Sequence, residues 1–121
     1  MAKMHKRLLI IDDNGVSRSL LKLLLQEEGF VVIEEASGGE QGLRLAQKML
    51  PDIVFLDIEM PGMGGLEVLS QLRPLLPSAM VIMVTSNADR GTVQAAVSAG
   101  ASGYILKPFT QKTVLQALRT R

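Results

Sequence analysis

The chain of 121 residues has no cysteine, which excludes a disulfide framework and any thiolate-held metal and suits a reducing compartment. Long apolar runs are missing too. The start, Met1-Ala2-Lys3-Met4-His5-Lys6-Arg7, is basic as a leader peptide is, but the apolar run Leu8-Leu9-Ile10-Ile11 ends after four residues at Asp12 and Asp13. That is far short of a secretory apolar region or the roughly 20 residues of a membrane span, so a cytoplasmic location away from the membrane is the expectation. Charge of one sign is not in excess: 13 Lys plus Arg stand against 12 Asp plus Glu. Such a balance supplies no global field to gather nucleic acid or an anionic membrane, and leaves any important electrostatics local. Histidine occurs once, as His5 in the basic lead-in, where a tail residue is a better reading than a ligand or catalyst. Repeats, low-complexity tracts and Pro/Ser-rich linkers are absent as well, and the length suits one domain over residues 1–121.

What is present is an alternation. Five short apolar runs, Leu8 to Ile11, Val31 to Ile33, Ile53 to Leu56, Met80 to Val84 and Tyr104 to Leu106, are separated by longer segments of helical period. Several are apolar at consecutive positions, as strands are when helices cover both faces of a parallel sheet. Leu20, Leu21, Leu24 and Leu25 mark a first helix ending near Gly29. A second is expected to begin around Gly38 to Glu40, with Ser37 as a candidate cap, and to bury Leu43, Ala46 and Leu50 before Pro51 breaks it. A third uses Leu66, Val68, Leu69 and Leu72 and should stop at Pro74. The fourth spans about Asp89 to Ala99 with Gly100 as a left-handed cap, and the fifth runs from Thr110 to the end with Val114, Leu115 and Leu118 inward. The pattern is (βα)₅, an α/β fold, and right-handed crossovers wind it into a doubly wound sheet. Functional groups in such sheets gather at the carboxyl ends of the strands.

The residues at or just after those ends are Asp12 and Asp13, then Asp57, Thr85 and Lys107. Like carboxylates brought together repel, by about 4 kcal/mol per pair at 4 Å and an effective dielectric near 20, so a cation is needed. An all-oxygen acidic cluster favours a hard ion, and Mg²⁺ fits few carboxylates plus waters and phosphate oxygens. Lys107 adds a compact positive charge for an anionic oxygen. A carboxylate nucleophile, a divalent cation, a lysine and a hydroxyl are the parts of phosphoryl transfer to Asp. Singly, each has a plainer reading, as a helix cap, a strand end or a solvated turn; together on four strands of one sheet they point to chemistry.

The stretch Phe55-Leu56-Asp57-Ile58-Glu59-Met60-Pro61-Gly62-Met63-Gly64-Gly65-Leu66-Glu67 resembles the phosphoacceptor segment of response-regulator receiver domains of two-component signalling. Ile10-Ile11-Asp12-Asp13, Val84-Thr85-Ser86 and Gly100-Ala101-Ser102-Gly103-Tyr104-Ile105-Leu106-Lys107-Pro108-Phe109 resemble the family's other signatures, in order. The resemblance implies a flavodoxin-like sandwich with strand order 2-1-3-4-5 and a phosphorylation switch rather than a turnover enzyme, with at most weak self-phosphorylation and self-dephosphorylation. Asp57 is then the phosphoacceptor. Asp13, Asp57 and the main-chain carbonyl of Glu59 bind Mg²⁺, Asp12 helps through a water, and Lys107 pairs with the phosphoryl group, or with Asp57 before phosphorylation. Thr85 moves its hydroxyl to a phosphoryl oxygen, Tyr104 changes rotamer with it, and Pro108 is a cis-proline aiming Lys107 inward. A histidine kinase or histidine phosphotransfer protein is the implied donor. The face of the fourth helix, fifth strand and fifth helix addresses a downstream protein, with no direct nucleic-acid or membrane contact, in a monomer or weak homodimer. Ser86 stands where the family commonly has Ala, and Glu59 and Asn87 occupy variable positions that influence water access. The side chain of Glu59 either holds or repels an attacking water or points to solvent.

Competing readings are a haloacid-dehalogenase-like phosphatase, against which Glu59 stands where a second Asp is usual, a flavin binder, and an interaction module that never carries phosphate. No output domain follows in the chain, and Met1 and Arg119-Thr120-Arg121 lean toward a stand-alone receiver. Pro61 to Gly65 lacks the Gly-Lys-Ser/Thr ending of a phosphate loop and reads as a flexible turn. Met80 and Met83 are expected in the core, and Met60 and Met63 at the surface.

Overall fold

The computed structural model describes residues 5–87 and 89–119. Met1 to Met4 of the basic lead-in, and Thr120 and Arg121 at the end of the expected fifth helix, lie outside them. Five strands alternate with five helices: β1 (Arg7–Ile11), α1 (Gly15–Glu27), β2 (Val32–Ala36), α2 (Gly39–Met49), β3 (Ile53–Asp57), α3 (Gly65–Leu75), β4 (Met80–Thr85), α4 (Arg90–Ser98), β5 (Gly103–Leu106) and α5 (Gln111–Arg119). All four ladders are parallel and the order is β2-β1-β3-β4-β5. The central strands β3 and β4 are buried throughout, which explains why their sequences are apolar without alternation.

Alternate residues face opposite layers. Leu8, Ile10, Phe55, Ile82 and Val84 pack beneath Leu21 and Leu25 of α1 and Val114 and Ala117 of α5. Leu9, Ile11, Val54, Leu56, Val81 and Met83 pack beneath Ala46 of α2, Val68, Leu69 and Leu72 of α3, and Ala96 of α4. Each fully buried aliphatic side chain contributes about 1.5–3 kcal/mol. Two covered faces leave the strand ends as the place where polar side chains can gather.

Several local expectations change. β2 begins at Val32, not Val31, and continues through Glu34 and Glu35; as an edge strand it is held by backbone pairing to β1 and tolerates charge on its outer positions. Leu20 is exposed, the inner stripe of α1 being Leu21 and Leu25. Leu50, expected in the core, is the left-handed C-cap of α2 (φ 47°) and is 50% exposed, because Pro51 stops the helix before its side chain can turn inward. Gly38, not Ser37, caps that helix; Ser37 instead donates its N–H and hydroxyl to Oε1 of Gln41 at 2.9 and 3.1 Å. Pro74 lies within the last turn of α3, at an exposed position near the helix end where the proline removes only one helical donor. Met60 is buried against the α2–α3 layer, since the β3–α3 loop folds back over the sheet. Leu115 and Leu118 are half-buried beside the buried Val114 and Ala117.

Some helix ends are written locally. Asp89 caps α4 by accepting from Thr92 N at 2.9 Å and from its hydroxyl at 2.7 Å, and the Thr92 N–H holds the Asp89 carboxyl below its ordinary value. Gly29 and Gly100 take φ of 99° and 104° just past α1 and α4, where a side chain is disfavoured.

Candidate functional site

Register assembles the site. Ile11 pairs with Leu56, so Asp12, the first residue beyond β1, comes level with Asp57, the last of β3. Asp57 pairs with Val84, and Thr85 with Leu106, which brings Thr85 and Lys107 to the same end of the sheet. Asp57 is 2% exposed and Asp12 4%, whereas Asp13 is open to solvent. Carboxylate oxygens of Asp12, Asp13 and Asp57 all lie within 4.8 Å of one another. Nζ of Lys107 reaches across to Asp12 Oδ2 at 3.0 Å and Asp57 Oδ2 at 3.4 Å. Its own N–H is bonded to the Thr85 carbonyl at 2.8 Å, and the Lys107–Pro108 peptide is cis.

The backbone around the carboxylates is braced. Asp12 donates its N–H to the Ala36 carbonyl at 3.0 Å and accepts from Asn14 N at 2.8 Å, while Asp57 Oδ1 accepts from Glu59 N at 3.2 Å. Nη1 of Arg18 donates to the Asp12 carbonyl at 2.6 Å, and its Nε to Glu35 Oε1 at 3.3 Å. The Pro61-to-Gly65 turn closes tightly: Gly65 N bonds the Ile58 carbonyl at 2.9 Å, and a Cβ on Gly65 would collide with the Asp57 carbonyl oxygen and stand 2.6 Å from Ile58 Cα. Only glycine lets α3 start that close to the acceptor strand.

Burial raises the Asp57 carboxyl to about 7, the charge of Asp12 pushes the same way, and Lys107 only partly offsets them. Burial pulls the Lys107 ammonium down, but the hydrogen bond to Asp12 and the charges of Asp57 and Asp12 outweigh it, so its pKa moves up. Two buried carboxylates share one lysine, and the pocket remains short of positive charge. Three oxygen donors so close, with no nitrogen or sulfur ligand among them, suit a hard divalent cation.

Beside them, Thr85 is fully buried. Its Oγ lies 2.5 Å from Glu59 Oε2 and 2.9 Å from the Asn87 carbonyl, and accepts from Asn87 N at 3.0 Å. Glu59 Oε1 also accepts from Ser86 N at 3.3 Å and Ser86 Oγ at 3.5 Å. The Glu59 side chain, although exposed, is therefore bent over the end of β4 and engaged there through both carboxylate oxygens. Tyr104 stands apart on β5, 46% exposed, near Leu106 and Val97 on the outer face.

The chain that carries this acidic triad and reaching lysine is similar in sequence and fold to known proteins. The family model of the response regulator receiver domain matches residues 8–119. The chain belongs to that family. The chemotaxis protein CheY of Listeria monocytogenes is 41% identical over 112 residues, 93% of this chain and 94% of the relative. CheY of Thermotoga maritima is 35% identical, covering 95% and 96%. Among solved structures, Vibrio cholerae CheY4 superposes with a TM-score of 0.89 at 29% identity, over 94% of this chain and 96% of that one. Borrelia burgdorferi CheY, solved as a CheX–CheY–BeF₃–Mg²⁺ complex, gives 0.89 at 32% identity over 93% and 86%.

As a receiver domain of the CheY type, the protein is a phosphorylation-dependent switch of two-component signalling, and the phosphatase and flavin-binder readings give way. Receiver domains are phosphoacceptor regulators, not turnover enzymes. No helix among the described residues is long and apolar enough to cross a membrane. Sequence reasoning missed Arg18 and the direction of the Glu59 side chain. Arg18 shows only as one more charge on an amphipathic helix, and its partners, the Asp12 carbonyl just past β1 and Glu35 on β2, emerge only when α1 docks.

Proposed function

We propose that Asp57 accepts a phosphoryl group from the phosphohistidine of a histidine kinase or histidine phosphotransfer protein. The observation that carries this is the Asp57 carboxylate, buried at the end of β3 with Asp12, Asp13 and Lys107 gathered on it. An Asp57 oxygen attacks phosphorus, the N–P bond breaks, and the imidazole leaves with the electron pair. Asp13, Asp57 and the Glu59 carbonyl would hold Mg²⁺, with Asp12 helping through a water; when bound, the ion neutralises charge on the transferring group. Lys107 trades its contact with Asp57 for the phosphoryl oxygens, and Thr85 turns its hydroxyl to the same group. Tyr104 changes rotamer, and the face of α4, β5 and α5 carries the message to a downstream protein.

Moving a two-state equilibrium from 1:99 to 99:1 takes about 5.5 kcal/mol. A phosphoryl group bringing about −1.5 to −2 of charge beside Lys107 and Thr85 supplies part of it. The protein works as a monomer or weak homodimer in the cytoplasm, as one receiver domain, with weak self-phosphorylation from small acyl phosphates and slow self-dephosphorylation. Mass spectrometry after incubation with Mg²⁺ and an acyl phosphate tests this: one phosphoryl mass is expected on the wild type and none on Asp57→Asn. No gain on the wild type from either an acyl phosphate or a panel of phosphorylated kinases makes the protein an interaction module instead.

A further inference from the structure

Glu59 lies two residues beyond Asp57, yet its side chain is engaged on the neighbouring strand, 26 residues away in sequence, through the 2.5 Å bond from Thr85 Oγ and the longer contacts to Ser86. A threonine hydroxyl has one proton. In this structure that proton has two acceptors, the Glu59 carboxylate and the Asn87 carbonyl, and the charge-assisted bond is the stronger. Thr85 is 0% exposed, so its hydroxyl cannot turn to water; it can only exchange one protein acceptor for another.

We propose that Glu59 is a latch on the Thr85 hydroxyl. It holds Thr85 and Ser86 in the resting position, and a phosphoryl group on Asp57 must take the hydroxyl away from it. Glu59 is thus a positioning residue that acts through Thr85 and sets how much phosphoryl stabilisation the switch requires. The inference rests on the reading of Asp57 as acceptor and Thr85 as the moving hydroxyl. It is separate from any effect of Glu59 on water, because it concerns the position of the switch and not the lifetime of the phosphoryl group.

The test uses the whole chain with beryllium fluoride and Mg²⁺ as the phosphoryl mimic, followed through the amide resonances of Thr85 and Ser86. Before any mimic is added, Glu59→Gln and Glu59→Ala should displace both resonances; unmoved resonances overturn the latch. In the titration, Glu59→Ala should bind the mimic about tenfold more tightly, as expected for removing one charge-assisted competitor. Glu59→Gln, which keeps a neutral acceptor, should fall between. In a Thr85→Ala background the gain from removing Glu59 should largely vanish, the two substitutions being non-additive. An equal gain in both backgrounds would mean that Glu59 only repels the incoming anion, and overturns the latch. A wild type whose resonances never respond overturns the phosphoacceptor reading and the latch with it, whereas a responding wild type and no tighter binding by Glu59→Ala overturn the latch alone.

Discussion

Replacing Asp57 by Asn should stabilise the metal-free protein, and by an amount that depends on pH in a specified way. In the folded chain the Asp57 carboxyl titrates at about 7 against an ordinary 3.8. A raised carboxyl pKa means that the folded state holds its proton longer than the unfolded state does, so stability falls as pH rises between those two values and is lowest above 7. At 1.36 kcal/mol per unit the ceiling of the loss is about 4 kcal/mol, and relaxation of Lys107 and solvent around Asp13 brings the expected value to about 2–4 kcal/mol. The Asp57→Asn variant keeps the shape without the charge. Its advantage should be full at pH 8 and should shrink steadily toward pH 4, where the wild-type carboxyl is neutral in the folded state and, with an ordinary value of 3.8, roughly four-tenths protonated in the unfolded one. Urea denaturation in the presence of a chelator, followed by far-UV circular dichroism because the chain has no tryptophan, reads the difference directly. Adding Mg²⁺ should narrow the gap at pH 8 by stabilising only the wild type appreciably, following the usual dependence on ligand concentration over Kd. An Asp57→Asn protein no more stable than wild type at pH 8, or one whose advantage is as large at pH 4, refutes the account of burial and Asp12 charge as the source of the shift.

Two further substitutions probe the scaffold. Gly65→Ala drives a methyl into the Asp57 carbonyl oxygen and to 2.6 Å from Ile58 Cα; backbone must yield, at about 1–3 kcal/mol or more, and the urea midpoint should fall. Gly38→Ala is its control, since an added Cβ there meets nothing within 4 Å and φ is −167°; equal midpoints for the two variants would contradict the packing argument. Arg73 donates from Nη1 to the carbonyls of Leu76 and Ala79 at 3.0 and 2.8 Å and from Nη2 to that of Gly100 at 2.6 Å. Arg73→Ala strips partly buried carbonyls of a charged donor and should cost about 2–3 kcal/mol. Arg73→Lys should recover only part of it, because a point charge cannot span the α3–β4 and α4–β5 connections at once; full recovery in thermal denaturation would show that charge alone matters.

The order of elements, the parallel sheet and the gathering of Asp12, Asp13, Asp57, Thr85 and Lys107 were legible in the sequence. Each rests on a local signal: unbroken apolar runs report strands covered on both faces, and chain direction in a parallel sheet sends every strand's following residue to the same edge. Local signals failed where a residue's surroundings come from elsewhere in the chain. Leu50 and Met60 have the same apolar character, yet one is turned out by a helix end at Pro51 and the other is folded in by the β3–α3 loop. Arg18 and Arg73 read as ordinary helix charges until docking places carbonyls of other segments around them. The Asp57 pKa could not be read from the segment around it, because it depends on burial and on Asp12, 45 residues away. Residue type and spacing thus determined which groups meet at the strand ends. Only the packed structure decided that Glu59 leans onto Thr85, because the path of a loop side chain is set by the acceptors and donors it finds across the sheet, and these have no periodicity to betray them.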